Sequence, residues 1–255
     1  DIANLPAKVA AADFIFHLAG INRPQDPQEF TTGNVDLTRA LAEAVRASGR
    51  SIPLLYTSST QAAMDNVYGA SKRVAEQVLE ALSEATGAEV YLFRLPNVFG
   101  KWARPNYNSA VATFCHNIAR DLPIQVNDRA ARITLVYIDD VVRCFLETMR
   151  GEHAGKRAVE VEPQYNASVG EIADHLHAFK ASRDNLITEP VGTGFVRALY
   201  STYVSYLPEE RFTYEVPKYG DERGVFVEML KTRDSGQFSY FTAHPGVTRG
   251  GPYHH

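Results

Sequence analysis

The sequence predicts an α/β fold built on a parallel, doubly wound sheet. Short apolar runs alternate with stretches in which apolar residues recur at helical spacing, and several of these runs end in small or polar residues. Because helical crossovers join parallel strands, such alternation is typical of a sheet covered by helices on both faces. The composition, with 45% hydrophobic and 22% charged residues in 255, is that of an ordinary globular chain.

The first four elements alternate between strand and helix. They cover residues 13–20, 34–48, 52–58 and 68–85 in turn. The strands are short apolar runs of the kind found in buried parallel sheets. The helices have leucines and valines spaced along one face, and Gly49 ends the first of them. The predicted apolar faces are Leu37, Leu41 and Val45 in the first helix and Val74, Val78 and Leu82 in the second.

The alternation continues to about residue 150 and then weakens. The next elements are a strand at 89–95, a helix at 109–119, a strand at 133–138 and helices at 141–150 and 169–180. We expect Asp139 and Asp140 to cap the helix that follows them. From Gly220 the apolar period changes to two, which predicts a hairpin of strands 224–230 and 237–241. We therefore predict a domain over 1–217, with a substrate-binding part at about 151–217, and an incomplete all-β domain over 218–255.

Three predicted strands end in small or polar residues that are suited to a site. These ends are Ala19-Gly20, Ser58-Ser59 and Pro96-Asn97. In open parallel sheets, ligands bind outside the carboxyl ends of the strands. The three ends are therefore expected to meet in one cleft.

Tyr68 lies nine residues after Ser59, at the start of a predicted helix, and Lys72 follows four residues later. Residues at this spacing share a helix face, with Cβ atoms about 5–6 Å apart. A neighbouring ammonium lowers the pKa of a phenol, which otherwise titrates near 10. A serine hydroxyl from the adjacent strand end then holds the substrate oxygen. This is the chemistry of hydride transfer to or from a carbonyl carbon.

Charge and composition argue against several other functions. The net charge is −4 and the basic residues are dispersed, so we expect no nucleic-acid binding. No apolar run reaches the length of a membrane span, so we expect no membrane association. The two cysteines, Cys115 and Cys144, suit a reducing compartment, and we expect a cytoplasmic protein without a signal peptide.

The motifs resemble those of the extended short-chain dehydrogenase/reductases, which have a Rossmann-like fold. The matching segments are 17–20, Asn34, 57–59, 68–72 and 94–100. Further segments resemble one subfamily, the CapF-type bifunctional capsular polysaccharide UDP-sugar reductases, in which a reductase is joined to a C-terminal cupin. These segments are 20–24, 99–102, 104–109, 112–115, 125–129, 199–203 and 205–208.

The subfamily resemblance implies a substrate and a reaction. The reductase would use NADPH to reduce the 4-keto group of a UDP-linked 4-keto-6-deoxy-N-acetylhexosamine. The product would be a UDP-N-acetyl-6-deoxy-talosamine-type sugar for capsular polysaccharide. The cupin half would carry zinc or another divalent metal and act at C3 before reduction. The resemblance also implies a homodimer.

Residue roles follow from the same resemblance. Tyr68 would be the general acid, Lys72 would lower the Tyr68 pKa and bind the nicotinamide ribose, and Ser59 would hydrogen-bond the substrate oxygen, with Ser58 or Thr60 as alternatives. The residues implied at the cofactor are Leu18, Ala19, Gly20, Ser58, Tyr68, Lys72, Leu95, Pro96 and Asn97. The residues implied at the substrate are Asn22, Arg23, Lys101, Asn106 and Arg132.

Two features depart from the family pattern. The sequence has no G-x-x-G-x-x-G loop for the cofactor pyrophosphate, so we expect the first strand–helix units of the domain to be missing ahead of Asp1. We also expect weak NADPH binding by the chain itself, and NADPH rather than NADH rests on the resemblance alone. At the other end, His254 matches the second histidine of the cupin metal motif, while Pro252 replaces the first. This is an incomplete metal site, or the remnant of a tag.

Other interpretations remain open. One is an epimerase on the same scaffold, and another is an inactive nucleotide-sugar-binding fragment. Thr60-Gln61 after Ser59 disfavours a dehydratase, which usually has an Asp-Glu pair there. Several residues also have structural interpretations: His17 as a strand-end residue, Arg94 and Asn97 as partners of backbone groups, and Trp102 and Tyr107 as packing residues.

Overall fold

The computed structural model describes residues 2–247 and divides into two compact units. Of the described residues, unit 1 comprises 2–98 and 134–165, and unit 2 comprises 99–133 and 166–247. The first elements are α1 (Leu5–Ala10), β1 (Ile15–His17), α2 (Gln28–Phe30), α3 (Leu37–Ala47), β2 (Leu54–Ser59), α4 (Val67–Thr86), β3 (Val90–Leu95) and β4 (Asn97–Phe99). The later elements are α5 (Ala110–Ala119), β5 (Arg132–Tyr137), α6 (Ile138–Met149), β6 (Gln164–Ser168), α7 (Val169–Asn185), α8 (Gly194–Val204), β7 (Lys218–Asp221), β8 (Gly224–Lys231) and β9 (Gln237–Phe241).

Unit 1 contains the predicted parallel sheet. β1 pairs with β2 and β2 with β3, all parallel, with Leu54 opposite Val90 and Ser59 opposite Leu95. One face packs against α3 and α4 through residues that include Leu41 and Leu79. The other face, with Phe93, packs against α6. Helices on both faces confirm the doubly wound α/β prediction.

The buried face of α4 agrees only in part with the predicted one. Of the predicted residues, Leu82 is buried and Val78, partly buried, packs against the core, whereas Val74 is only partly buried. The buried face also includes Ser71, Lys72, Ala75, Glu76 and Leu79, two of which are charged residues that a pattern of apolar residues does not include. These two, Lys72 and Glu76, reach partners beside the sheet.

The start of α6 also corrects a prediction. The helix begins at Ile138, with Tyr137 at the N-cap position and no side-chain cap. Asp139 and Asp140 therefore lie in the first turn instead of capping it. Carboxylates are favourable there because the helix dipole is positive at its N-terminus. Asp140 also accepts a hydrogen bond from Arg143 at 2.7 Å.

Unit 2 contains elements that the sequence patterns did not predict, namely α8, β7 and part of β6. In α7, Ser168 and Glu171 form a capping box, and the helix continues to Asn185, five residues beyond the predicted end. The aromatic rings of this unit pack against one another, and the Phe179 and Tyr200 centroids are 5.1 Å apart. Cys115 is fully buried.

The described C-terminal residues form an antiparallel sheet in the order β7–β8–β9. Its hairpin turns at 232–236, which agrees with the change of apolar period. β4, β5 and β6 form a further three-stranded sheet. Within residues 2–247, no helix combines the length and the apolarity needed to cross a bilayer.

Candidate active site

The carboxyl end of β1 lies against Lys72 of α4. A Cβ atom added to Gly20 would lie 2.9 Å from Lys72 Nζ and 3.0 Å from Asn34 Oδ1. The Asn34 amide accepts a hydrogen bond from Ile21 N at 2.7 Å and donates to Ile21 O at 3.0 Å and to Ser71 Oγ at 2.9 Å. Asn34 thus ties the loop after Gly20 to α4. This arrangement brings two predicted cofactor residues, Gly20 and Lys72, together.

Lys72 is 5% exposed, and its ammonium group has defined partners. Nζ donates a hydrogen bond to Thr57 O at 2.9 Å and lies 4.9 Å from the centre of the Tyr56 ring. The same atom lies 6.0 Å from the centre of the Tyr68 ring. Burial lowers the Lys72 pKa to about 8, and the Glu76 charge opposes this by favouring the ammonium. Lys72 therefore remains mostly protonated at neutral pH.

Tyr68 lies in the first turn of α4, directly after its cap. Asn66 caps the helix by accepting a hydrogen bond from Gly69 N at 2.7 Å. Burial raises the Tyr68 pKa, and a hydrogen bond with Ser59 opposes that effect. The net direction is opposite to the lowering predicted from Lys72, because removal from water disfavours the phenolate more than the hydrogen bond stabilises it. Ser59, at the end of β2, is the serine whose hydroxyl reaches Tyr68.

A glycine explains how Ser59 and Tyr68 come together. The 3₁₀ turn Thr60–Ala63 follows Ser59 and packs against the start of α4. A Cβ atom on Gly69 would lie 2.0 Å from Gln61 O. Only glycine permits this backbone approach without a shift. This close backbone contact was not predicted from the sequence, although Gly69 lies inside the Tyr68–Lys72 motif.

A buried polar network joins β2, α4 and β3. Glu76, 3% exposed, accepts a hydrogen bond from Ser58 and two more from Arg94, from Nε at 3.0 Å and Nη2 at 2.6 Å. The Ser58 hydroxyl is thus directed at Glu76, while Ser59 faces Tyr68. The burial of Glu76 was not predicted from the sequence, although its position four residues after Lys72 places both on one helix face.

His17 has a structural environment at the end of β1. Its Nε2 lies 2.8 Å from Thr38 Oγ1, and that hydroxyl donates its own proton to Asn34 O at 2.6 Å. The Thr38 hydroxyl has one proton to donate, so the imidazole is the donor to Thr38. Burial and the Lys72 charge lower the His17 pKa to about 4. The neutral imidazole fits the structural interpretation of this residue.

The remaining predicted residues are distributed over both units. Leu18 and Ala19 are exposed beside Gly20, and Asn97 Nδ2 donates to Thr134 O at 3.1 Å. Among the predicted substrate residues, Asn22 and Arg23 belong to unit 1, whereas Lys101, Asn106 and Arg132 belong to unit 2. Leu95 and Pro96 are partly buried at the end of β3. The roles assigned to all these residues remain predictions.

Several of these side chains already have partners inside their own unit. Arg132 donates to Asn166 Oδ1 at 2.6 Å and to Asn166 O at 2.9 Å. Lys101 Nζ lies 5.8 Å from the Trp102 ring centre. Trp102 is 83% exposed and Tyr107 is also exposed, so the prediction that they are packing residues is wrong. His254 lies outside the described residues.

Family models match both ends of the chain. Residues 1–162 match the NAD dependent epimerase/dehydratase family, and residues 219–255 match the polysaccharide biosynthesis C-terminal domain. These matches agree with an enzymatic α/β region followed by the first strands of a second domain.

Individual proteins give the same assignment. The chain is 65% identical, over 254 residues, to UDP-2-acetamido-2,6-beta-L-arabino-hexul-4-ose reductase of Pseudomonas aeruginosa, covering 100% of this chain and 68% of that protein. The crystal structure of the capsular polysaccharide assembling protein CapF from Staphylococcus aureus matches with a TM-score of 0.88 and 42% identity, over 97% of this chain and 68% of that one.

A more distant structure supports the fold alone. UDP-glucuronic acid 4-epimerase from Bacillus cereus matches with a TM-score of 0.67 and 19% identity, over 81% of this chain and 78% of that one. The family match over residues 1–162 and the 65% identical relative confirm the resemblance inferred from the motifs. The chain belongs to the NAD dependent epimerase/dehydratase family and has its Rossmann-like fold.

Proposed function

We propose that the protein is an NADPH-dependent reductase of a UDP-linked 4-keto-6-deoxy-N-acetylhexosamine in capsular polysaccharide biosynthesis. The product is a UDP-N-acetyl-6-deoxy-talosamine-type sugar. The observation that carries this proposal is the hydrogen-bonded pair of Ser59 and Tyr68, with the buried ammonium of Lys72 one helical turn away. These groups are suited to protonating an oxygen at the carboxyl end of the sheet.

The relatives support the substrate class. The name of the Pseudomonas aeruginosa relative describes a UDP-linked, 2-acetamido sugar with a keto group at C4, and a reductase that acts on it. The Staphylococcus aureus relative is described as a capsular polysaccharide assembling protein. This chain spans about two thirds of the length of both.

The residues around Gly20 fit a nicotinamide cofactor. Gly20 has no side chain, so its backbone is accessible beside Lys72 Nζ. A Cβ atom at this position would lie 2.9 Å from Lys72 Nζ and 3.0 Å from Asn34 Oδ1. When bound, NADPH supplies the hydride for C4. The residues that would hold it are Leu18, Ala19, Gly20, Ser58, Tyr68, Lys72, Leu95, Pro96 and Asn97.

Each polar residue then has a defined task. Tyr68 donates its phenolic proton to the substrate oxygen, and its raised pKa keeps that proton available at neutral pH. Ser59 orients the same oxygen by hydrogen bonding. Lys72, as an ammonium, orients the cofactor ribose and stabilises the phenolate left after proton transfer.

The substrate contacts belong to the same proposal. The residues assigned to the UDP-sugar are Asn22, Arg23, Lys101, Asn106 and Arg132. The guanidinium groups of Arg23 and Arg132 and the ammonium group of Lys101 suit its diphosphate. We further propose a cytoplasmic homodimer. In the full-length protein, a C-terminal cupin half would hold zinc or another divalent metal.

Replacing Tyr68 with phenylalanine in the full-length protein tests this function. We expect NADPH oxidation in the presence of the keto-sugar to fall about 10²- to 10⁴-fold, which is the usual contribution of a general acid. Binding of the UDP-sugar, measured by calorimetry, is expected to persist. Tyr107→Phe, at an exposed ring, is the matched control and retains full activity. Unchanged turnover of the Tyr68 variant would refute its assigned role.

A further inference from the structure

Three potential metal ligands lie together at the end of α6, away from the catalytic residues. One ligand atom each from Cys144, Glu147 and His153 lies within 4.8 Å of the others. α6 begins directly after the carboxyl end of β5, so at 1.5 Å per residue Glu147 lies about 15 Å along the helix from that end. The three residues belong to unit 1, and no role in the reductase chemistry uses them.

Thr148 orients the imidazole of His153. Its hydroxyl donates a hydrogen bond to Cys144 O at 2.8 Å, and it lies 2.9 Å from His153 Nδ1. A threonine hydroxyl has one proton, and here it is used on the Cys144 carbonyl. His153 Nδ1 must therefore carry the proton that completes the second hydrogen bond. Nε2 then keeps its lone pair and is the ring nitrogen that is free to bind a metal.

The other two groups are also available for coordination. Within residues 2–247, the Glu147 carboxylate makes no hydrogen bond and no ion pair. Arg143, the nearby cation on the same helix, is occupied by Asp140 at 2.7 Å and by Glu162 O at 3.1 Å. The Cys144 sulfur is buried at the edge of the core cluster, and its polar contact among the described residues is a long one, 3.9 Å to Glu160 O.

We propose that Cys144, Glu147 and His153 form a binding site for a borderline divalent cation such as Zn²⁺. Sulfur, nitrogen and carboxylate oxygen are the ligands that Zn²⁺ takes in proteins, whereas Mg²⁺ and Ca²⁺ take oxygen. Three protein ligands leave the fourth tetrahedral position for water. Binding converts the Cys144 thiol to a thiolate and releases its proton to solvent.

The site connects α6 to the segment that borders the parallel sheet. After His153, Gly155 N donates to Glu89 Oε1 at 3.0 Å. Further along, Leu92 N donates to Arg157 O at 2.7 Å and Val159 N to Leu92 O at 3.1 Å. A bound cation fixes the turn between the helix and this segment, and it therefore stabilises unit 1.

Zinc binding and cobalt spectroscopy on the reduced chain test the site. Wild type is expected to bind Zn²⁺ in equilibrium dialysis, and its Co²⁺ form to show the charge-transfer absorption of a thiolate ligand. The chain has two cysteines, so Cys115→Ala is the matched control and keeps that absorption. Cys144→Ala abolishes it. Histidines near the C-terminus cannot produce a thiolate band.

Two further variants test the site while keeping the Cys144 thiol. Thr148→Val is expected to weaken Zn²⁺ affinity about 10- to 100-fold, because it frees the imidazole. Glu147→Gln, at a partly exposed position, weakens it as well. Absence of the thiolate band in wild type overturns the proposal. So does a band that survives Cys144→Ala, or an affinity that neither Thr148→Val nor Glu147→Gln changes.

Discussion

Glu76→Gln tests the buried network that positions the ends of β2 and β3. The carboxylate accepts one hydrogen bond from Ser58 and two from Arg94. Glutamine preserves the shape of the side chain but removes its charge and turns one acceptor into a donor. At least one charge-assisted hydrogen bond is then lost, and a donor faces the guanidinium.

The expected loss of stability follows from these contacts. A hydrogen bond to a charged group contributes about 1.5–3 kcal/mol, and breaking a buried ion pair costs about 3–5 kcal/mol. The Arg94 side chain is half exposed, so water solvates its guanidinium after the substitution and reduces that cost. We therefore expect a loss of about 2–3 kcal/mol, which is about a 30- to 150-fold change in the opening equilibrium.

Hydrogen exchange measured by mass spectrometry is the suitable assay. The single tryptophan, Trp102, lies in unit 2, so its fluorescence does not report on this network. The amides of β2 and β3 are expected to exchange about 30- to 150-fold faster in Glu76→Gln. The matched control is Glu80→Gln, one turn further along α4, where a partly exposed carboxylate lies 3.7 Å from Arg157. Surface pairs contribute about 0–1 kcal/mol, so its effect stays below about fivefold.

Equal exchange in the two variants would contradict the reasoning. It would mean that the Glu76 carboxylate is no more important to the strand ends than a surface charge. A change restricted to unit 2 would contradict it equally, because all the partners of Glu76 lie in unit 1.

Three further outcomes follow from the site. Gly69→Ala places a Cβ atom 2.0 Å from the Gln61 carbonyl oxygen, so the start of α4 must shift. We expect the free energy of unfolding, measured by thermal denaturation, to fall by about 1–3 kcal/mol, and kcat to fall as well. Wild-type values of both would contradict the packing of Gly69 against Gln61. Because the Lys72 pKa is lowered to about 8, reductase activity should fall as the pH rises through 8. Glu76→Gln should move this alkaline fall in the pH–rate profile to lower pH, because the Glu76 charge favours the ammonium. If Lys72→Arg shows the same fall at the same pH, Lys72 is not its source. Between pH 8 and 10.5, Lys72 is protonated in the unfolded protein but deprotonated in the folded protein. The free energy of unfolding of the wild type should therefore rise by about 3 kcal/mol across this range, relative to that of Lys72→Met. Parallel curves of unfolding free energy against pH for the two proteins would contradict this.

Periodicity predicted the sheet because its residues are apolar and buried on both faces. β2 lies within the predicted strand but for its last residue, and the core helices α3 and α4 match their predictions within about three residues. The Tyr68–Lys72 spacing predicted a shared helix face, and the Gly20 strand end predicted proximity to it. These features depend on local spacing and on the topology of parallel sheets, which sequence patterns contain.

The missed features depend on contacts between distant segments. Glu76 is buried because Ser58 and Arg94, 18 residues away on either side, satisfy its carboxylate. A count of apolar residues treats Lys72 and Glu76 as surface positions and therefore leaves both out of the buried face of α4. Trp102 was expected in the core because of its size, but it lies in a turn and is exposed. Such positions are determined by tertiary partners, which a single sequence does not identify.

The proposed function requires that the protein transfers hydride to C4 of a UDP-linked keto-sugar. The most direct test uses the full-length protein, the 4-keto-6-deoxy-N-acetylhexosamine substrate and NADPH deuterated at the transferred position of its nicotinamide. We predict one deuterium at C4 of the product sugar, located by NMR, with one NADPH consumed for each product formed. Product without deuterium at C4, or NADPH that remains unconsumed while the substrate is converted, would contradict the account.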